Sequence, residues 1–84
     1  MFSLEFSIQA DKFLRKCEKE LAIRIIEKIN LLATDPAPHH AIRVAGEKKI
    51  FRIRIGDYRV LYEVVWETQA IVVAKIDNRS RVYQ

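Results

Sequence analysis

The sequence has 84 residues, with 15 Lys and Arg, 11 Asp and Glu, and a net charge of +4 at neutral pH. This length predicts one domain over residues 1–84 and excludes a large cofactor-binding fold. Half of the residues are hydrophobic, and Gly and Pro number two each, which excludes a disordered chain. The single Cys17 excludes an internal disulfide and a thiolate zinc site made by this chain alone. We therefore expect a small protein with one modest hydrophobic core.

Hydropathy and charge along the chain predict a cytoplasmic protein. No apolar run approaches the ~20 residues that cross a bilayer, and residues 1–10 lack a basic n-region, so we expect no membrane partner and no signal peptide. Residues 1–40 carry six basic and six acidic side chains, whereas residues 41–84 carry nine and five. The whole excess therefore lies in the second half. Such asymmetry is typical of proteins that bind a polyanion, although ordinary solubility explains the same count.

The first half of the chain predicts one strand and two helices. Residues 2–6 alternate apolar and polar side chains, as a half-buried strand does. Residues 7–34 have helical periodicity, but the charged stretch at 18–20 has no apolar anchor, so we predict a break there and a helical hairpin. Pro36 and Pro38 end the second helix, because proline has no N–H to donate and clashes with the preceding turn.

The second half of the chain predicts strands, because apolar and polar residues now alternate. These strands span residues 41–45, 49–55, 58–65 and 70–76, and a polar tail follows at 77–84. Gly56 and Asp57 match a two-residue type II′ hairpin, in which Gly takes the positive φ. The sequence therefore predicts an α+β fold: an N-terminal strand, an α-helical hairpin, and then an antiparallel β-sheet meander, with both helices on one face of an antiparallel sheet.

The hairpin register brings three arginines together. With a two-residue loop, Arg54 lies opposite Arg59 and Arg52 opposite Leu61, and opposed residues of an antiparallel pair project from the same face. Like charges opposite each other destabilise a sheet by up to ~1 kcal/mol, so a counter-charge is expected. Glu63 on the same face could supply part of it, and a bound phosphate could supply more through bidentate hydrogen bonds. The alternative is a solvent-exposed arginine face that guards the sheet against aggregation.

Two other polar segments, the C-terminal tail and the histidine pair, also allow more than one interpretation. Arg79, Arg81 and Tyr83 follow the last predicted strand, and basic side chains interleaved with an aromatic are typical of binding to single-stranded RNA. A frayed basic terminus is the alternative for this tail. His39 and His40 are interpreted as loop residues, because no further metal ligand stands near them at a matching spacing.

Two stretches of the second half resemble the RelE/ParE superfamily of type II toxins, and its RelE branch most closely. They are FRIRIGDYRVLYEV at 51–64 and IDNRSRVY at 76–83. The superfamily combines a YRIRxGxYRxxYEV-like hairpin with a closing HRxxVY-like motif, and the order of elements is similar over essentially the whole chain. Two residues depart from the family pattern: Asn78 stands where His is common, and Asp77 where some members have a basic residue.

The resemblance implies a fold similar to microbial RNases and an activity on RNA. It implies a ribosome-dependent mRNA endoribonuclease, or mRNA interferase, which inhibits translation by cleaving mRNA in the ribosomal A site. The RNA 2′-OH is then the nucleophile, and the protein needs neither a metal nor a small-molecule cofactor. By position, the expected catalytic residues are Arg52, Arg54, Arg59, Arg79 and Tyr83. Further RNA contacts are expected from Lys48, Lys49, Asn78 and Arg81.

The resemblance also implies the partners of the chain. These are mRNA on the ribosome, ribosomal RNA, and a cognate RelB-like antitoxin whose acidic segments complement the basic half of the chain. Two other functions stay open from the sequence. One is a ParE-like inhibitor of DNA gyrase without RNA chemistry. The other is a catalytically weakened toxin that acts through antitoxin binding and co-repression of its operon.

Overall fold

The computed structural model describes residues 1–44 and 49–78 of the chain. In chain order its elements are β1 (Ser3–Phe6), α1 (Ile8–Lys16), α2 (Lys19–Leu31), β2 (Ile42–Arg43), β3 (Ile50–Ile55), β4 (Tyr58–Val65) and β5 (Ala70–Asn78). This order confirms the predicted α+β fold of a strand, a helical hairpin and a run of strands. Four predicted site residues lie outside the described residues, and these are Lys48, Arg79, Arg81 and Tyr83.

The two helices are separated close to the predicted break. α1 ends at Lys16 and α2 begins at Lys19. Ser7 caps α1, because its hydroxyl oxygen accepts a hydrogen bond from the Ala10 N–H at 3.1 Å. The same hydroxyl donates to the Ala74 carbonyl at 2.6 Å, so one serine both begins the helix and ties it to β5. Neither helix in the described part of the chain is long and apolar enough to cross a membrane.

The strands form one five-stranded sheet in the order β1-β5-β4-β3-β2. Strands β2 to β5 make the predicted antiparallel meander, but β1 pairs with β5 in parallel. The prediction of a wholly antiparallel sheet is therefore wrong at β1, and the sheet is mixed. The reason is that only strands joined by a short turn must run antiparallel. The chain between β1 and β5 includes both helices and three strands, so their pairing direction is not set by a local turn.

The two ends of the meander also differ from the predicted bounds. β5 continues through Asp77 and Asn78, which the sequence assigned to the tail, because Arg59 and Tyr58 of β4 pair with them. A bulge at Ala74 of β5 interrupts the alternation before this point. The strand predicted at 41–45 is shorter and covers only β2 among the described residues.

The hydrophobic core lies between the helices and one face of the sheet. A single cluster of buried side chains joins α1, α2 and β3–β5, which confirms that both helices cover the same face. Its largest fully buried member is Tyr62 of β4, whose ring stacks on Phe51 with centroids 5.8 Å apart. The Tyr62 hydroxyl donates to the Pro36 carbonyl at 2.8 Å, so the core also holds the segment that follows α2.

Candidate nucleic-acid interface

The β3–β4 hairpin has the predicted register. Ile55 pairs with Tyr58, and Arg54 pairs with Arg59, so the loop consists of Gly56 and Asp57 alone. Gly56 has a φ of +59°, the left-handed value that the first position of a type II′ turn requires.

A helix side chain also restricts this turn. The Arg24 guanidinium of α2 lies so close that its Nη2 would be 2.9 Å from a Cβ placed on Gly56. Glycine at this position therefore serves two purposes, since it supplies the positive φ and leaves room for Arg24. The close approach places a helix cation at the tip of the hairpin.

The sheet face opposite the core carries the predicted arginines, and we call it the outer face. Its residues on β3–β5 follow from the register: Ile50, Arg52 and Arg54 on β3, Arg59, Leu61, Glu63 and Val65 on β4, and Ala70, Val72, Lys75 and Asp77 on β5. The predicted core face is likewise confirmed, because the intervening side chains Phe51, Ile53 and Ile55 are buried. The outer face is therefore largely charged near the β3–β4 hairpin and more apolar at the other end of these strands, where Ile50, Val65 and Val72 lie.

The three arginines of the outer face differ in exposure. Arg54 is exposed, Arg52 is half-buried, and Arg59 is only 2% exposed. Of the three guanidinium groups predicted to share this face, that of Arg54 is thus open to solvent and that of Arg52 is open in part. Arg59 lies under the surface, and its contact with a phosphate requires that the surrounding groups move.

Asp77 is the acidic residue in register with the buried arginine. It is the Cα partner of Arg59 on β5, whereas Arg54 is the Cα partner on β3, so Arg59 lies between one like and one opposite charge. Glu63, the counter-charge suggested by the sequence, pairs with Ile50 instead. Sequence reasoning missed Asp77 because it placed this residue in the tail. The alternation of apolar and polar residues could have revealed Asp77, because it continues past Ile76 once the extra residue of the bulge, Ala74, is left out.

The two other predicted RNA contacts that the structure describes lie away from Arg54. Lys49 precedes β3 and its Nζ is 3.3 Å from a Glu67 carboxylate oxygen. It is five residues from Arg54, which is about 17 Å along a strand. Asn78 is the Cα partner of Tyr58, so the register places it on the core side of the sheet and not on the outer face.

The arrangement on the outer face is suited to holding an anion. An arginine presents several N–H donors in a fixed fork that matches a phosphate, and it stays charged at any physiological pH. Among residues 1–44 and 49–78, no three His, Cys, Asp or Glu side chains come together as a group that could hold a metal ion. His39 and His40 are exposed and lie in the turn before β2, as the sequence predicted.

The fold and this face define a class of protein: a small α+β domain in which two helices cover one side of a sheet and leave an arginine-bearing side uncovered by either helix. The family model described as "ParE toxin of type II toxin-antitoxin system, parDE" matches residues 4–83. A curated protein of Methanocaldococcus jannaschii named "Putative toxin RelE1" is 31% identical over 88 residues, which cover 96% of this chain and 98% of that protein. The chain therefore belongs to the RelE/ParE family of type II toxin-antitoxin toxins.

Solved structures of RelE toxins share this fold. RelE in the archaeal RelE-RelB complex from Pyrococcus horikoshii OT3 is 28% identical, with a TM-score of 0.79 over 95% of this chain and 97% of that one. The isolated E. coli RelE toxin has a TM-score of 0.84 at 23% identity, over 99% of this chain and 92% of that one. The first match adds sequence similarity to the likeness in fold, whereas the second concerns the fold alone.

Proposed function

We propose that this toxin is a ribosome-dependent mRNA endoribonuclease, and that the exposed guanidinium of Arg54 on the outer face is its principal contact with the scissile phosphate. The observation that carries the proposal is the position of Arg54: it is exposed, it lies beside Arg52, and neither helix covers this side of the sheet. The similarity to a curated protein named "Putative toxin RelE1" supports the RelE branch, for which the resemblance of the sequence implies an RNA target.

The proposed reaction uses the nucleophile that RNA itself carries. The 2′-oxygen attacks the adjacent phosphorus, the bond from phosphorus to the 5′-oxygen breaks, and a 2′,3′-cyclic phosphate and a 5′-hydroxyl result. The 2′-OH loses its proton to solvent and the leaving 5′-oxygen takes one up. Arg54 and Arg52 stabilise the charge that develops on the phosphoryl oxygens. Dependence on the ribosome follows, because the ribosome then supplies the orientation of the mRNA.

The remaining predicted residues keep supporting roles in the proposal. Arg59, buried beside Arg54 in register, reinforces the positive charge from below the surface. The tail is proposed to add a cation at the leaving oxygen and an aromatic ring against a base, through Arg79 and Tyr83. Further contacts to mRNA or ribosomal RNA are proposed for Lys48, Lys49, Asn78 and Arg81.

We further propose that a RelB-like antitoxin neutralises the chain in the cytoplasm. RelE is found with RelB in the structure from Pyrococcus horikoshii OT3, and a complex of this kind is also known from E. coli. The second half of the chain carries the whole net charge of +4, so an acidic segment of the antitoxin fits it.

The test is to map mRNA ends after induction of the wild-type chain, of Arg54→Ala, and of Arg15→Ala. Wild type and Arg15→Ala are expected to stop translation, with cuts inside codons at the A site. Arg54→Ala is expected to cut about a hundredfold more slowly, as when one donor to a developing oxyanion is removed. Arg15 is a matched control because it is an exposed arginine on α1 with the same charge change. Unchanged cutting by Arg54→Ala contradicts the assignment of the site.

The second candidate is inhibition of DNA gyrase, and the match to the ParE family model favours it. The same induction distinguishes the two, because a gyrase inhibitor damages DNA and leaves mRNA intact. Harmless expression together with tight antitoxin binding indicates the third possibility, a weakened toxin that acts through operon co-repression.

A further inference from the structure

The side chains of the outer face form rows that run across the strands. One row consists of Arg52 on β3, Leu61 on β4 and Lys75 on β5, because Leu61 is the Cα partner of both other residues. Neighbouring strands lie about 4.8 Å apart, so the Cα atoms of Arg52 and Lys75 are separated by about 10 Å. This row, which we call the middle row, has a cation at each end and an apolar side chain between them.

The rows on either side of the middle row each contain an acidic residue. Toward the hairpin turn, the row of Arg54 and Arg59 ends at Asp77 on β5. In the other direction, Glu63 of β4 is the centre of the next row. A chain of phosphates that crosses the sheet along either of these rows meets a carboxylate, and like charges repel. Among these three rows of the described strands, the middle row alone has no carboxylate.

Lys75 is a cation of the outer face that the sequence did not single out. In a regular strand it would share the core face with the buried Val73, two residues before it. The bulge at Ala74 shifts the register and turns Lys75 outward, as bulges do when they redirect a side chain. Within residues 1–44 and 49–78, Lys75 forms no ion pair. Its charge is therefore available to an anion from outside this part of the chain.

Leu61 is an apolar side chain in the centre of a charged surface. Cations flank it across the strands, and Arg59 and Glu63 flank it along β4. It is half-buried, and neither helix covers this side of the sheet, so an apolar group of a ligand can lie over it. A nucleobase offers a flat apolar face, and phosphates follow it and precede it in a single strand. The middle row therefore matches the chemical order of RNA.

We propose that RNA crosses the outer face along the middle row, with Lys75 bound to the phosphate next to the scissile one and the intervening nucleoside over Leu61. This inference rests on the proposed function for the RNA ligand and for the scissile phosphate at Arg54 and Arg52. It adds to that site a subsite for one ribonucleotide. RNA fits this subsite better than an acidic peptide, because a run of carboxylates matches the two cations and leaves Leu61 without an apolar partner.

Removal of the Lys75 charge is the first test. The full chain cuts mRNA on programmed ribosomes, and single-turnover rates give its half-saturating concentration and maximal rate. Lys75→Met keeps the aliphatic stem, and we expect its half-saturating concentration to rise about tenfold at an unchanged maximal rate, because bound and reacting RNA both lose the contact. Lys75→Arg keeps the charge and should stay within about threefold of wild type. Lys16→Met is the matched control, because Lys16 is an exposed lysine on α1.

Removal of the phosphate charge completes a cycle with Lys75→Met. An uncharged methylphosphonate replaces the phosphate on each side of the scissile one in turn. At one of these positions, wild type and Lys16→Met are expected to bind about tenfold more weakly, whereas Lys75→Met loses nothing further. Equal losses in all three chains at both positions overturn the proposal. If Lys75→Met does not fold, the wild-type chain decides, because no loss at either position removes the contact.

Two further outcomes of these assays have separate meanings. Normal half-saturation of Lys75→Met together with weaker binding of the antitoxin overturns the proposal, since it assigns Lys75 to a surface for an acidic protein. Absence of cutting by the wild-type chain contradicts the proposed function, and the inference fails with it. Cutting by wild type with an unaffected Lys75→Met leaves the proposed function standing and overturns the inference alone.

The contact of Leu61 is tested with an abasic ribonucleotide beside the scissile phosphate. Wild type and Val65→Thr are expected to bind this mRNA about fivefold more weakly than the intact one, whereas Leu61→Thr, which has already lost the contact, changes less than about twofold. Val65 is the matched control, because it is a half-buried apolar residue on the outer face of the same strand. The same loss in all three chains overturns the placement of the nucleoside over Leu61.

Discussion

The two faces of the β3–β4 hairpin come from the same fourteen-residue stretch of sequence, 51–64, yet they are organised by different forces. On the core face, Ile53, Val60 and Tyr62 are buried against the helices, and the burial of apolar area stabilises them. On the outer face, Arg54 is exposed beside the buried Arg59, and two like charges lie directly opposite each other. The core face stabilises the fold. The outer face places two like charges together, which destabilises the fold but is suited to binding an anion.

Alternate residues of the same strand are therefore expected to serve different purposes, since those on the core face stabilise the fold and those on the outer face serve binding. A substitution on the core face is expected to change the free energy of unfolding, whereas one at Arg54 is expected to change binding. Arg59 combines features of both faces, because it lies on the outer face and its side chain is nevertheless buried.

The largest effect is expected on the core face, at Tyr62. Tyr62→Ala removes a fully buried ring that stacks on Phe51 and leaves a cavity, so we expect a loss of about 3–5 kcal/mol in the free energy of unfolding. Urea denaturation monitored by circular dichroism measures this loss. Tyr62→Phe is the control that keeps the ring, and about 1–2 kcal/mol is expected for its missing hydrogen bond. Equal losses for both variants contradict a packing role of the ring.

The next effect is expected at Arg59 and tests whether an outer-face residue can behave as a core residue. Arg59→Ala removes a buried side chain, so we expect a loss of about 2–3 kcal/mol, whereas Arg54→Ala at its exposed partner should cost less than about 0.5 kcal/mol. Both values are obtained from urea melts of the two variants under one set of conditions. Similar stabilities for the two variants break the distinction drawn between these neighbouring arginines.

The sequence predicted the hairpin better than its surroundings, and the reason is the range over which each feature is determined. The two-residue loop at Gly56 and Asp57 sets the register of Arg54 with Arg59, so a local signal was enough for the whole arginine set. The parallel pairing of β1 depends on strands far apart in the sequence. Asp77 was hidden behind the bulge of β5, which breaks the alternation that strand reading depends on.

The burial of Arg59 on the outer face could not be predicted either, because it depends on the position of its strand in the sheet and not on the local sequence. Arg54 and Arg59 look alike in the alternating pattern, and only their positions in the sheet distinguish them. Arg59 is in an interior strand between β3 and β5, whereas Arg54 is on β3, whose outer edge is covered only in part, by β2, among residues 1–44 and 49–78. Within residues 1–44 and 49–78, the coverage of β3 beside Arg54 likewise depends on where β2 begins, at Ile42, which a periodicity argument places only to within a few residues.

A smaller effect is expected at the turn that joins the two faces. Gly56→Ala places a Cβ at a φ of +59° and 2.9 Å from Arg24 Nη2, so both the backbone and a helix side chain must adjust. We expect a loss of about 1–2 kcal/mol, measured by thermal and urea unfolding. The double variant Gly56→Ala with Arg24→Ala relieves the contact but not the backbone strain. Full recovery in this double variant contradicts a requirement for glycine at a positive φ.

The smallest effect is a pH dependence that belongs to the core face alone. Burial, and to a lesser extent the nearby Asp35 charge, raises the pKa of Tyr62 well above its usual value near 10. The unfolded chain therefore loses this proton at a lower pH than the folded chain does. The contribution to stability is complete below pH 10 and declines as pH rises above it, by up to about 1.4 kcal/mol per pH unit until the folded pKa is reached. Urea melts of wild type and Tyr62→Phe between pH 8 and about 11 measure it. The stability difference between the two should shrink above pH 10, because the phenylalanine has no proton to lose. A constant difference across this range means that the Tyr62 hydroxyl is not shielded from water as its hydrogen bond to Pro36 implies.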